Sequence, residues 1–552
     1  MQRLWTRWVW AVLVAAAMTS LQAASLAYEE HATEVIYNSL KRHGKAGFLQ
    51  RFYKRLLFLP AWMHEKGLSR PAQGFFDEIL HDETLERESR LYQDARILYD
   101  EARTLYRTDA PFLEKMKMEF RISLLYKAYT DYRYFGSINW GAFKARIANL
   151  KVNDVSTEWE VHRPQADVAG MVEKALLGAD LRRLMRQADP EAYHYRALRK
   201  ELVRYMKLRD AGGWPHVTLK NRVLKPEMKD PGVKQLRERL RVSGEYTRCF
   251  DSKESDVYDG CLQEAVKRFQ RTHGLAADGV VGPATLRELN VPIEQRITTL
   301  RLNLDRIKWL NPRRPKRHII INIPFFTLYF EENGMLAFHT PVIVGKPDHP
   351  TPIFSDEVEI IVLNPYWNVP KNIVQKEMIP KLMKDPYALE RQGIEIYDGW
   401  GKNARKIDPA SVDWAQYRYS KRLPFRFAQP PGRKNALGKV KFLFPNRFSV
   451  YMHDTPTKPL FKRTKRAFSH GCVRLGKPIE LLEYFASFEP NVDFDKAERI
   501  LEGKKNTYIR LKEKVPVDIV YLTAWVDYDG TLQFRGDVYG YDRMQLKSFK
   551  RW

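Results

Sequence analysis

Residues 469–475 read Ser469-His470-Gly471-Cys472-Val473-Arg474-Leu475, or SHGCVRL. The chain has 3 cysteines, Cys249, Cys261 and Cys472, and an odd number leaves at least one thiol unpaired. Cys249 and Cys261 lie close in sequence and are a candidate bridge, which makes Cys472 the leftover. Cys472 is either a nucleophile or a small buried side chain that follows a histidine. The choice decides how the C-terminal part of the chain is read.

A thiol attacks as its thiolate, and with an unperturbed pKa near about 8.5 only a few per cent is ionised at pH 7. A base or a positive field must raise that fraction. His470 is two residues away, but closeness in sequence does not fix orientation. Upstream, Arg447 to His453 reads RFSVYMH. In an extended chain Phe448, Val450 and Met452 share one face, and Ser449, Tyr451 and His453 share the other. The first face reads as core, while the second presents a phenol and an imidazole. The 15 residues between His453 and Ser469 allow a loop to return and set Cys472 beside His453. Gly471 permits a sharp turn, and the amides of Gly471 and Cys472 are candidates to face an oxyanion. A purely structural Cys and His is the competing reading. Zinc is a weaker one, because two histidines and one cysteine stand without a carboxylate or second thiol at ligand spacing.

Outward from this stretch the pattern is strand-like. KRHIIINIPFFTLYF and MLAFHTPVIVG flank Glu332-Asn333-Gly334, a hairpin signal. EVEIIVLNPYW ends in a turn at Asn364-Pro365, and strands resume at KVKFLFPN. Between them residues 378–432 form a polar insertion bearing Tyr and Trp, of a length that suggests a lid or a disordered segment. Two helices, near Pro478–Phe488 and Asp495–Leu501, and a hairpin turning at Asp529-Gly530 complete a unit spanning 316–552.

The rest of the chain is helical. Leu91, Ala95, Leu98, Ala102 and Leu105 alternate in steps of four and three, a buried seam, as do Phe48, Phe52 and Leu56. Residues 28–225 read as a helical scaffold without chemistry of its own. Residues 226–292 read as a three-helix module: Val233, Leu236 and Leu240 line one helix, Leu262, Val266 and Phe269 another, and Pro283 opens a third at its first position. Gly274 suits a left-handed cap and Asp278-Gly279 a turn. Residues 293–315 are expected to be a linker. The predicted class is α+β and multidomain, with a mostly β, β-sandwich-like last domain carrying the inserted lid.

A length of 552 residues suggests three or four units at about 150 residues each. The N-terminus has Arg3 and Arg7, an apolar run from Val9 to Met18, and small residues at Ser25 and Ala27. It reads as a secretory signal over 1–27, too short for a comfortable membrane span. The net charge of +26 suggests an anionic partner, and export argues against nucleic acid.

His453, 15 residues, then Ser-His-Gly-Cys and a hydrophobic residue closely resembles the L,D-transpeptidase (YkuD-type) signature. Arg474 stands where asparagine is often found. VGKPDHPTPIFS resembles the strand and loop ahead of that site. FQRTHGLAADGVVGPATL resembles a peptidoglycan-binding type 1 module. The order of parts, with NPYWNVPKNI, FAQPPGRKNALGKVKF, HDTP and YLTAWVD, resembles the large YcbB-like transpeptidases.

The resemblance implies a periplasmic enzyme acting on peptidoglycan tetrapeptide stems as donor and acceptor. Other cell-wall enzymes are conceivable partners, and no metal or cofactor is implied. Cys472 is the implied nucleophile and His453 its base. Asp454 is expected to hold the His453 ring, through its backbone in preference to its carboxylate. His470 and Gly471 are expected to support the oxyanion loop, and Ser469, Arg474, Tyr451 and Trp367 to meet substrate. Lys462, Arg463, Lys465 and Arg466 would set cations near the stem's carboxylates. Carbapenems acylate many members, so an adduct on Cys472 is expected. An L,D-carboxypeptidase, a protein-to-wall ligase and a non-catalytic wall-binding protein remain as alternatives.

Overall fold

The computed structural model describes residues 25–41, 47–148, 159–160, 162, 166–187, 189–190, 193–247, 255–310, 315–401 and 403–549. The secretory signal, apart from its last residues, lies outside them. So does Cys249. Cys261 is disulfide-bonded, and Cys472 is a free thiol.

The N-terminal region is a helical bundle. The helix Arg90–Arg107 buries Leu91, Ala95, Leu98 and Ala102, the seam expected from the spacing. Its neighbour Phe112–Thr130 buries Glu119. That carboxylate accepts bonds from the Tyr53 hydroxyl at 2.7 Å and from the amides of Ala61, Trp62 and Met63. The group is therefore satisfied without a counter-ion.

The small module follows, with α2 (Val233–Ser243), α3 (Gly260–Thr272) and α4 (Pro283–Leu289) after the last scaffold helix, α1 (Tyr193–Asp210). Val233, Leu236, Leu240, Leu262, Val266 and Phe269 share one core. Gly274 is left-handed at φ 67° and Pro283 begins α4.

The expected linker is corrected by the structure. Most of it is α5 (Ile293–Lys308), a buried helix. Ile293, Ile297, Leu300, Leu304 and Ile307 recur in steps of four and three and pack with Leu198 and Leu202 of α1 and with Trp525. Its polar residues are bonded too. Asn303 donates to Thr523 Oγ1 at 2.9 Å, Arg306 donates to Gln545 and pairs with Asp542, and Asp305 accepts the Ser137 amide. The seam was present in the sequence, in the recurrence of Ile293, Ile297, Leu300, Leu304 and Ile307.

The C-terminal unit is built on nine strands: β1 (Arg317–Asn322), β2 (Thr327–Glu332), β3 (Met335–Gly345), β4 (Phe354–Leu363), β5 (Val440–Leu443), β6 (Met452–His453), β7 (Ala467–Ser469), β8 (Val473–Leu475) and β9 (Thr507–Val520). Their order is β7-β3-β8-β6-β5-β4-β9-β1-β2, and β2 also pairs with β3. The β-sandwich-like body thus takes the form of one mixed sheet that closes on itself. Asn333 and Gly334, both at positive φ, make the two-residue turn between β2 and β3. The helices Pro478–Ala486 and Phe494–Glu502 cover the sheet through Leu481, Leu482, Phe485 and Ala497.

The insertion is folded. The segments Trp367–Asn368, Arg426–Gln429 and Glu395–Tyr397 form a small sheet in that order. Val369, Val374, Ile379, Leu382, Trp414 and Phe427 give it a core of its own. It therefore begins at about Trp367, ahead of the polar stretch that first marked it. Its neck is tied by Asn435, whose buried amide donates to the carbonyls of Pro365, Gln429 and Pro430 at 2.9, 3.0 and 3.0 Å.

Candidate active site

Three short strands assemble the site. β5 and β6 are antiparallel, with Lys441 opposite His453 and Phe442 opposite Met452. β6 and β8 are parallel, with His453 opposite Arg474 and Met452 opposite Val473. One face carries Phe442, Met452, Val473 and Leu475 into the core. The other carries Lys441, His453 and Arg474 in a row. Two residues back along the chains stand Tyr451 and Cys472, where the Val473 amide donates to the Tyr451 carbonyl at 3.1 Å. The alternation of RFSVYMH is thus realised at its end. Regular pairing begins only at Met452, because Ser449 is left-handed at φ 56° and Asn446 ties the preceding turn through the carbonyls of Phe444 and Val450.

His453 is buried. Its Nδ1–H donates to the Asp454 carbonyl at 2.5 Å, which fixes the tautomer and leaves Nε2 as the basic atom. The Asp454 carboxylate faces elsewhere, accepting from the Lys439 amide and from Lys458 Nζ, at 2.8 and 2.7 Å. Burial, with the charges of Arg474 and Lys441, pulls the imidazole down to about 3. Burial pushes the Cys472 thiol up, against hydrogen bonds from Tyr451 and the charges of Lys441 and Arg474. Both shifts favour a neutral thiol–imidazole pair at rest over an ion pair. The Cys472 thiol also reaches toward the Ser449 carbonyl at 3.9 Å.

The loop before Cys472 is held from inside. Ser469 is buried, and its hydroxyl donates to the Cys472 carbonyl at 2.6 Å while accepting the Gly471 amide at 3.2 Å. Two expectations are corrected by these bonds. Ser469 staples the turn in place of facing substrate, and the Gly471 amide is engaged, so it is not free for an oxyanion. Gly471 is left-handed at φ 113°, as its turn requires. Its carbonyl accepts from Thr351 Oγ1 at 2.8 Å, and Tyr539 donates to the Gly345 carbonyl at 2.7 Å.

His470 points away from this row. Its Nε2 donates to Glu377 of the insertion at 2.6 Å, and its ring lies 5.0 Å from that of His349. His470 therefore joins the loop before Cys472 to the insertion. Trp367 is half-buried against the insertion's core, which accounts for it by packing. In the basic run Arg466 bonds the carbonyls of Val342, Arg463 and Phe326, whereas Lys462, Arg463 and Lys465 are exposed. Lys441 and Thr351 were not foreseen. Lys441 was legible in principle: pairing KVKF against VYMH with the two core faces matched places it beside His453.

Comparison with known proteins agrees with this geometry. Residues 316–516 match the L,D-transpeptidase catalytic domain family, called YkuD. Residues 316–516 are an L,D-transpeptidase catalytic domain. Residues 47–202 match a scaffold domain and 229–289 a provisionally named peptidoglycan binding domain. A Haemophilus influenzae protein provisionally named an L,D-transpeptidase is 34% identical over 225 residues, 41% of this chain and 44% of the relative. The match therefore spans less than half of that relative's length. Among solved structures, a Mycobacterium smegmatis L,D-transpeptidase is similar over 37% of this chain and 58% of its own, at 12% identity and a TM-score of 0.18. One from Stackebrandtia nassauensis is similar over 52% and 89%, at 16% identity and 0.21. The last two likenesses are too slight to carry an argument. The transpeptidase domain belongs to a cysteine-dependent enzyme family, and its free thiol and buried histidine share one face.

Proposed function

We propose that the chain is an exported L,D-transpeptidase that cross-links peptidoglycan outside the cytoplasm. The observation that carries this reading is the His453 imidazole, tied through Nδ1 to the Asp454 carbonyl on the strand face that also bears Cys472. In the proposed cycle His453 Nε2 takes the Sγ proton as Cys472 attacks the carbonyl of the third residue of a tetrapeptide stem. The Tyr451 hydroxyl, hydrogen-bonded to Cys472, is the donor best placed to follow charge from sulfur to the carbonyl oxygen. The imidazolium then returns its proton to the departing D-alanine amine, leaving a thioester. An amine of an acceptor stem attacks that thioester with His453 again as base, and the thiol is restored.

The row of cations suits a substrate that carries carboxylates, and Arg474 is the residue we assign to them. Its Nε is buried without a hydrogen-bond partner among the described residues. The insertion, linked to the nucleophile loop through Glu377 and His470, serves as the lid that keeps water from the thioester. The module at 229–289 would hold the glycan-linked substrate nearby.

Muropeptides incubated with wild type and Cys472→Ala and read by mass spectrometry test the proposal. Cross-linked dimers that vanish on substitution support it. Trimmed tripeptides alone would make the protein a carboxypeptidase. Binding with no chemistry in either protein would leave a wall-adhering protein. Incubation with a carbapenem should add one drug mass to wild type and none to Cys472→Ala.

A further inference from the structure

Lys441 faces the site from β5, opposite His453, and its ammonium lies 3.7 Å from the centre of the Tyr451 ring. It is half-buried, and among the described residues it has no carboxylate or side-chain hydrogen-bond partner. A cation in such a place is costly unless something negative meets it. The surrounding groups narrow the choice. His453 comes from β6 and Tyr451 from just before that strand, Arg474 from β8, and Cys472 from the turn before β8. The Asp454 carboxylate is engaged by the Lys439 amide and Lys458. The Glu377 carboxylate, from the insertion, is engaged by His470, which His349 flanks. Burial and the neighbouring Cys472 push the Tyr451 phenol well above its ordinary range, so it stays neutral. Cys472 is the group on this face left to become an anion.

We propose that Lys441 is a positioning residue whose ammonium, stacked on Tyr451, stabilises the Cys472 thiolate as His453 takes its proton. The proposal rests on Cys472 being the nucleophile, but not on the identity of the substrate. It also explains the Tyr451 contact. The ammonium over the ring pins the phenol whose hydroxyl bonds the sulfur, and a cation near the ring face is attracted by its quadrupole. Because Lys441 and Arg474 also disfavour a charged imidazole, the proton taken from sulfur is held loosely and is readily passed on.

The test is alkylation of Cys472 by iodoacetamide, a neutral reagent, followed by intact mass on the full chain from about pH 5 to about pH 10. In Lys441→Met the midpoint of the rate profile should rise by about one unit, with reaction about tenfold slower at pH 7. Lys441→Arg should stay near wild type. A Lys441→Met profile that overlays wild type would overturn the proposal, as would a Lys441→Arg shift as large as that of Lys441→Met. Should Lys441→Met not fold, reductive ¹³C-dimethylation of wild type reads the lysine directly. Its titration should move down once Cys472 is alkylated, and an unmoved titration refutes the pairing. Shifted alkylation in a protein that makes no cross-links would retain Lys441 and reject the transpeptidase reading.

Discussion

Two regions of this molecule bury positive charge, and they treat it in opposite ways. In the scaffold, Arg133 is 3% exposed and is held by Glu78 and by Asp189, while Arg199 spans Asp82 and Asp189. At the site, Lys441 and Arg474 stand beside His453 with no carboxylate partner among the described residues. Matched charges in the scaffold join helices. Unmatched charges at the site are a field looking for an anion, and in a protein interior such a field shifts proton equilibria strongly.

The comparison can be broken by substitution, and the largest effect is chemical. Cys472→Ala should remove all cross-linked product and every covalent carbapenem adduct without lowering the melting temperature. Residual product would place the nucleophile elsewhere. Next comes the scaffold. Arg133→Ala takes from Glu78 and Asp189 the buried guanidinium that joins them, leaving only Arg186 on the one and Arg199 on the other, and should cost about 3 kcal/mol in denaturant unfolding, with alkylation of Cys472 in the folded fraction unchanged. Asn435→Ala removes a neutral donor from three carbonyls at the neck of the insertion and should cost about 1–3 kcal/mol, an intermediate case between the two regions.

A fourth test uses pH. Burial lowers the affinity of His318 for a proton, but Asp518 and Glu331 outweigh it and raise the group to about 9. A raised histidine contributes its stability in full below its unfolded value, about 6.5, and loses it as pH climbs through about 9. The melting temperature should fall over that interval, and His318→Gln should flatten the slope. A slope that survives in His318→Gln would assign it to other groups. The smallest effect sharpens the comparison: Lys441→Met exchanges a poorly matched charge for an apolar side chain and should change stability by no more than about 1 kcal/mol, even as it moves the alkylation profile.

How much of this was legible in the sequence depended on the range of the interactions. Local patterns held: the Asn333-Gly334 turn, Pro283 at a helix start, the seam of Arg90–Arg107, and the alternation that sets Tyr451 and His453 apart from Val450 and Met452. That the chain bearing Cys472 runs beside the strand bearing His453 followed from one motif spacing. What the sequence could not give depended on register between distant strands. Lys441 is 12 residues from His453 but its direct neighbour across β5 and β6. Ser469 looked like a substrate contact until its hydroxyl was seen closed on its own turn. His470, two residues from the thiol, turned out to serve Glu377 instead.

α5 has a practical consequence for the modular picture. Its apolar seam is shared by α1 and by the hairpin around Trp525, so a cut at residue 316 would strip the sheet of a wall and uncover Phe325, Tyr329 and Trp525. The three sequence families on this chain are therefore not beads on a string. Recombination that swapped one of them would have to carry the intervening helix along, and a fragment trimmed to the family boundary should precipitate where one begun ahead of Tyr193, keeping both α1 and α5, stays in solution.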